Sequence, residues 1–428
     1  MLNNMARHWL FCLPLIVFGS HYGVQNIIGY YRYPAELIDK MVLALALSVV
    51  SYGLCYRYVS VKWSAGLSRG LSIRQHQRSL CLTVVLAFLI VVLAACAQSS
   101  AVPIVEALRG APYDRLAQLR NAFMRGSSGS STLINYLYAI FLQALMPLAL
   151  SYVFLVRDRY RYVVLSIFML GASLSLSKGI FLCVTAPLIA IFLMTRRWGA
   201  ALAAFAGLLA SIAVMYVLAS GFVGTKFEPI HPVPNPVVDP VTPTAQTALQ
   251  SDVPDHYNLF TEKNQALLII NRIVWIPYVT AVDWFRYQDI HMQEGYLLGR
   301  SIRPLAYLLG TERFYLEKEV AELQWGGPSG ATSNAVFFAD AWLNWGALGV
   351  VVYSTLLALT IKLIMASNNL ALIAASGFPV WVACFSALPP VYLSAGLGFL
   401  LLFAFMLRIE ERADMSVVVG VQHYSARA

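Results

Sequence analysis

Ten stretches of this chain are apolar and almost free of charge: 9–31, 41–56, 80–101, 133–156, 163–177, 179–194, 199–220, 344–365, 369–387 and 389–407. About 20 such residues form a helix long enough to cross the ~30 Å hydrocarbon core of a bilayer. Charged residues make up 12% of the chain, against about a quarter in a soluble domain. The pattern predicts an all-α polytopic integral membrane protein with about ten transmembrane helices. The net charge of +9 then reports orientation, because Lys and Arg gather in cytoplasmic loops, and it carries no nucleic-acid signal. The opening MLNNMARHWLFCLPLIVFGS has the basic flank and apolar stretch of a signal peptide. No small-x-small cleavage site follows it, so it reads as a retained first span.

The run from Val163 to Met194 fixes the topology. It holds a single charge, Lys178, and lies between two basic clusters, Arg157, Arg159 and Arg161 on one side and Arg196 and Arg197 on the other. As one helix it would measure about 48 Å, well beyond the bilayer core. Both clusters are cytoplasmic only if the run crosses twice, which puts Lys178 at a hairpin tip on the outer face with Gly179 supplying the turn. Two further clusters, Arg57 to Arg78 and Arg408 with Arg412, fit the same parity. The expected arrangement has both termini cytoplasmic. A bundle of about seven spans occupies residues 1–220 and carries an outer loop, 102–132. A large periplasmic loop fills 221–343, about three spans fill 344–412, and a cytoplasmic tail covers 413–428. Parity places the large loop on the outer face of the membrane.

Within the second loop, 229–257 carries seven prolines and reads as extended. Residues 263–288 read as an apolar helix on, or dipping into, the outer interface. Residues 312–324 read as an exposed helix. The six cysteines all lie in or beside apolar segments, so no disulfide is expected.

Outward arginines are the chemical signal. Arg109, Arg115, Arg120 and Arg125 stand in the first outer loop, with Glu106 and Asp114 as its only acids; Arg272, Arg286, Arg300 and Arg303 stand in the second. A guanidinium fork matches two phosphate oxygens at once, so the set suits a lipid diphosphate head group. Pairing with loop acids or with anionic lipid is the other reading of each arginine. Asp340, flanked by Phe337, Phe338, Trp342 and Trp345, is partly desolvated and suits a base; a solvated acid at a helix start is the alternative. His231, His256, His291, Asp289 and Glu294 also lie in the second loop, where a histidine is more often solvated than catalytic. No Asp-x-Asp pair, Gly-rich phosphate loop, Cys/His ligand spacing or G-x-S-x-G appears. No metal and no cofactor is expected, and the energy source would be the substrate itself.

Several features together resemble the Wzy-type O-antigen and exopolysaccharide polymerases, including those of xanthan-like gum systems. They are the late outer loop, the turn Ser177-Lys178-Gly179, the helix start with Phe338, Asp340, Asn344, Gly346 and Gly349, and the Arg–ten–Gly spacing from Arg115 to Gly126. Lysine stands at 178 where many relatives have arginine. Arg300 to Gly310 is one residue short of the second Arg–ten–Gly spacing. The resemblance implies the O-antigen polymerase/ligase (GT-C-like) architecture, a bacterial inner membrane as the location, and a glycosyltransferase that joins repeat units carried on undecaprenyl diphosphate. The growing glycan would move to an incoming lipid-linked unit, with inversion and without metal. The residues expected to serve are Asp340, Arg272 and Arg300 in catalysis, and Arg115, Arg125, Lys178 and Arg286 at the diphosphate. Expected partners are the lipid-linked oligosaccharide, membrane lipid, a flippase, and chain-length or export proteins. A ligase using the same donor, or a transporter of the lipid-linked saccharide, would fit the same composition.

Overall fold

The computed structural model describes residues 2–59, 77–99, 101–125, 129–176, 178–219, 259–260, 265–292, 295–325, 332–334 and 336–406. Outside them lie the proline-rich stretch, His231, His256, Glu294, Ser177, Gly126 to Ser128, the basic loop through Arg69 and Arg74, and the tail with Arg408 and Arg412. The side chains of Arg125 and Lys178 lie outside them too.

Every regular element among the described residues is helical. The first is α1 (Leu2–Val17), which passes through a π-helical turn, Phe18–Gly23, into α2 (Gln25–Arg32); α3 (Ala35–Tyr58) and α4 (Gln77–Gln98) follow. The first outer loop holds α5 (Pro103–Leu108) and α6 (Tyr113–Arg125). Next, α7 (Gly129–Ile140) passes through a second π-helical turn, Phe141–Leu145, into α8 (Met146–Leu155). The next three are α9 (Arg161–Ser173), α10 (Phe181–Met194) and α11 (Trp198–Ala219). The second loop carries α12 (Gln265–Val274), α13 (Ile276–Tyr287), α14 (Arg303–Leu308) and α15 (Leu316–Trp325). The chain then forms α16 (Phe337–Ala366), α17 (Leu370–Ala383), α18 (Leu388–Leu393) and α19 (Leu397–Met406).

Among the described residues, six continuous helical stretches are long and apolar enough to cross a membrane: His8–Arg32, Ala35–Tyr58, Arg78–Gln98, Thr132–Leu155, Trp198–Met215 and Phe337–Ala366. Four shorter apolar helices, α9, α10, α17 and α19, stand where the remaining expected spans fall. This is the build of a helical membrane protein.

Among the described residues, two large cores organise the bundle, with a small third cluster of Ala190, Ile191 and Ala374. The first joins α1, α3, α13, α16 and α17 around Phe18, Tyr22, Tyr52, Trp275, Tyr278, Phe337 and Phe338. In it α3 and α16 run parallel, and small residues let them approach: the Ser48 and Ser354 hydroxyls are 3.0 Å apart. α1 runs antiparallel beside them, with the Tyr52 hydroxyl donating to the Phe11 carbonyl at 3.0 Å. The Tyr22 hydroxyl, on the π turn, donates to the Cys384 carbonyl at 2.8 Å. The second core gathers α4, α6, α7, α8, α9 and α10 around Phe88, Phe123, Tyr138, Phe168 and Phe181.

Four expectations need correction. The expected interfacial helix 263–288 is two helices, and α13 is buried between other elements of the first core. Its Tyr278 hydroxyl donates to Asn26 Oδ1 at 3.2 Å, and any Cβ on Gly29 would collide with that tyrosine. The helix at 312–324 is half-buried: Leu316, Val320 and Ala321 join the core, and Gln324 donates to Asp283 Oδ2 at 3.1 Å. The α9–α10 hairpin forms, but its left-handed residue is Leu176 (φ 52) while Gly179 is not left-handed. The last expected span is broken at Gly396, where φ is 75 and a Cβ would lie 2.4 Å from Ala144.

Candidate functional site

The start of α16 carries the motif-like residues, and its geometry departs from helical. Trp345 (φ −145, ψ 17) and Gly346 (φ 61, ψ −147) kink the helix. Only glycine suits position 346, because an added Cβ would also meet the Tyr296 ring at 2.8 Å. The kink frees two carbonyls, and a distant loop takes them. Leu297 N–H donates to the Leu343 carbonyl at 3.0 Å, and Leu298 N–H to the Asn344 carbonyl at 2.9 Å.

The Asn344 amide locks this junction. Its Oδ1 accepts from Gly299 N–H at 3.1 Å and from the Ser301 hydroxyl at 3.0 Å. Its Nδ2 donates to the Asp340 carbonyl at 2.8 Å and to Asp340 Oδ1 at 3.1 Å. Both lone pairs and both protons of a fully buried amide are thereby used. Arg300 lies between the two residues that bond to Asn344, and its own carbonyl accepts from Phe314 N–H at 3.0 Å. The backbone at Leu298 (φ 52) and Gly299 (φ 88) is left-handed twice in succession, a conformation that persists only when surrounding bonds over-determine it. The Arg300 guanidinium is exposed on this rigid turn, with exposed Arg303 at the start of α14. A further arginine of this loop, Arg313, is turned inward. Its Nε donates to the Ser301 carbonyl at 3.2 Å, and it pairs with Glu317 at 3.7 Å.

Asp340 is buried to 3% exposure, deeper than the partly desolvated position expected of it. One oxygen accepts from Asn344; among the described residues Oδ2 has no hydrogen-bond partner, and the Tyr353 hydroxyl below it has none either. Through Asn344 it is linked to the Arg300 turn, two hydrogen bonds away.

A second cationic group forms where α2 meets α13. Arg32 places its guanidinium 5.2 Å over the Trp275 ring and donates to the Leu259 carbonyl at 3.3 Å. Burial and the nearby Asp283 and Tyr278 push the pKa of the Tyr33 hydroxyl up, while the guanidiniums of Arg32 and Arg286 pull it down. Arg32 and Arg286, on two helices, thus both act electrostatically on one phenol. Arg272 is exposed on neighbouring α12, and Lys40 pairs with Asp289 at 2.6 Å. Arg32 went unnoticed in the sequence because it ends the first apolar stretch and looks like a flank; its position directly before Tyr33-Pro34 was the available signal.

The first-loop arginines belong to a segment that packs on the other core. Arg109 pairs with Glu106 at 2.8 Å and Arg115 with the same carboxylate at 3.5 Å. Their loop packs through Ala107, Leu116 and Phe123 on the second core, whereas α13, Leu297 and Leu316 belong to the first. The expected cations therefore stand on two cores: Arg115 and the backbone of Arg125 on one, Arg272, Arg286 and Arg300 on the other. The turn that includes Lys178 packs against α11, which also meets α5 of the first loop. Among the described residues, no group of three or more His, Cys, Asp or Glu side chains converges as a metal site.

No protein-family model, curated protein or solved structure matches the chain.

Proposed function

We propose that the protein is a polymerase of lipid-linked oligosaccharide repeat units, acting on undecaprenyl-diphosphate-linked glycans at the outer face of the membrane. The observation that carries this reading is the Arg300 turn, fixed by Asn344 to the kinked start of α16 and presenting a guanidinium to solvent. A rigidly held cation stabilises charge that develops on a departing phosphate without reorganising at the moment of reaction. The acceptor sugar hydroxyl attacks the anomeric carbon, the bond to the diphosphate oxygen breaks, and the hydroxyl proton passes to a base. The diphosphate leaves as an anion held by Arg300, Arg272 and Arg286. A single displacement of this kind inverts the anomeric centre.

The division of arginines between two cores favours polymerisation over simple carriage. Such an enzyme holds two lipid diphosphates at once, one on the donor and one on the acceptor. Arg115 with Arg125 and Lys178 would serve the second.

The test is purified protein in proteoliposomes supplied with lipid-linked repeat units. Glycans of increasing length with released undecaprenyl diphosphate are expected. An Arg300→Ala variant, present in equal amount, should make little product. A single transfer to a different acceptor would identify a ligase. Passage of the lipid-linked saccharide across the bilayer with no new glycosidic bond would identify a carrier.

A further inference from the structure

At the opposite end of the bundle from the Arg300 turn, two loops distant in sequence meet. One is 156–160, between α8 and α9; the other is 195–197, between α10 and α11. Phe154 joins them, its ring 5.8 Å from Tyr162 and 5.9 Å from Phe192. Arg161 lies 6.0 Å over the same ring. The loops and their flanks supply Arg157, Arg159, Arg161, Arg196 and Arg197, and the only acid in either loop, Asp158, is paired with Arg78 at 3.0 Å.

The backbone adds an independent observation. Each loop begins with the same helix stop. Asp158 N–H bonds back to the Val153 carbonyl at 2.9 Å, and Arg197 N–H to the Phe192 carbonyl at 2.7 Å. In this cap the residue before the bonding N–H is left-handed, and glycine is the usual occupant. Here both positions are arginine, Arg157 at φ 53 and Arg196 at φ 57. An L side chain at such a φ is disfavoured, and orientation by the positive-inside rule needs only a charge somewhere in the loop. Two arginines on matching left-handed caps, at the ends of helices that meet at Phe154, point to a ligand that uses both side chains. The guanidiniums feel one another: burial lowers the Arg197 pKa, and Arg157 and Arg161 lower it further. Exposed Tyr160, Tyr162 and Trp198 flank the cluster with the amphipathic rings that settle at head-group depth.

We infer that the Arg157–Arg161 and Arg196–Arg197 loops together form a binding site for the phosphodiester head group of an anionic membrane phospholipid. Guanidinium forks match its oxygens in pairs, and basic pockets between helix ends are where such head groups bind. The site stands apart from the polymerase reading and does not depend on it.

The test measures thermal unfolding of the full chain in phosphatidylcholine vesicles with and without phosphatidylglycerol. Phosphatidylglycerol should raise the unfolding temperature of the unaltered protein. The Arg157→Gly/Arg196→Gly pair relieves the left-handed strain, so in phosphatidylcholine alone it should unfold at a temperature higher by roughly 2 °C. It should also lose the phosphatidylglycerol shift. Arg159→Gln/Arg197→Gln, which leaves both strained residues in place, should lose the shift too. Arg57→Gln, outside the cluster, should keep it. No shift in the unaltered protein, a shift in either cluster variant as large as that of the unaltered protein, or reproduction of the shift by inorganic phosphate in phosphatidylcholine vesicles would overturn the assignment.

Discussion

Replacing Asn344 by alanine tests whether the α16 kink holds the Arg300 turn. The substitution removes the two bonds that Oδ1 accepts, from Gly299 N–H and the Ser301 hydroxyl. At about 1 kcal/mol net for each, the turn loses about 2 kcal/mol of anchoring. The Leu297 and Leu298 amides keep their carbonyl partners on α16, so the turn opens more often without detaching. Since 1.4 kcal/mol is a factor of ten, opening should become about 30-fold more frequent. Hydrogen exchange at the Leu297 to Arg300 amides, in protein reconstituted in a bilayer, should quicken by that factor. Polymer yield should fall toward that of Arg300→Ala while protein abundance holds. Tyr353→Phe is the control: its hydroxyl is buried without a hydrogen-bond partner among the described residues, so exchange in the turn should stay as it was. Unchanged exchange in Asn344→Ala would refute the anchoring role. Lost activity with normal exchange would mean that Asn344 acts on substrate directly.

Other outcomes follow from the same geometry. Gly349→Ala places a Cβ 2.3 Å from the Ala341 carbonyl oxygen across the kink, and overpacking of this kind costs about 1–3 kcal/mol. Its unfolding temperature in detergent should fall, while Gly53→Ala, which meets no atom within 4 Å, should match or slightly exceed the unaltered protein. Arg272→Ala, Arg286→Ala and Arg300→Ala should each reduce polymer strongly at normal abundance, and normal polymer from all three would remove the second-loop clamp. Glu106→Gln releases Arg109 and Arg115 from exposed ion pairs, which are worth under about 1 kcal/mol, so the unfolding temperature should barely move. With ten crossings, a cysteine at Gly179 should react with an impermeant thiol reagent from outside and one at Arg159 only from the cytoplasmic side; the reverse pattern, or labelling of both from one side, would refute that topology.

Apolar content made the helices readable. The short arms α9 and α10 were separable because 32 apolar residues overrun a bilayer, and length alone required the break. The π turns at Phe18 and Phe141 were not readable, since one extra residue per turn leaves no mark in a sequence apolar on every side. Burial of α13 was hidden for the opposite reason. Asp283 and Arg286 interrupt its apolar run and suggested a surface helix. Asp283 is nevertheless inside, bonded by Gln324 from a helix forty residues later. A buried polar group can be recognised only with its partner in view.

The same limit explains what the candidate site disclosed in advance. Asp340 and Asn344 are four residues apart and share one helix face, so their pairing was within reach of sequence reasoning. Gly346 inside an apolar helix signalled a departure from helical geometry. What these residues hold was not legible, because Gly299 and Ser301 lie over forty residues earlier and reach Asn344 only after α13, α14 and α15 have packed. The expected base is also one end of a hydrogen-bonded link, with the exposed arginine near the other end. A buried carboxylate beside a kink and an exposed cation on a strained turn look unrelated in one dimension, yet a single amide joins them. If that amide can be removed without loosening the turn, the cation owes its position to something else, and the link from Asp340 to the turn carries no weight in holding it.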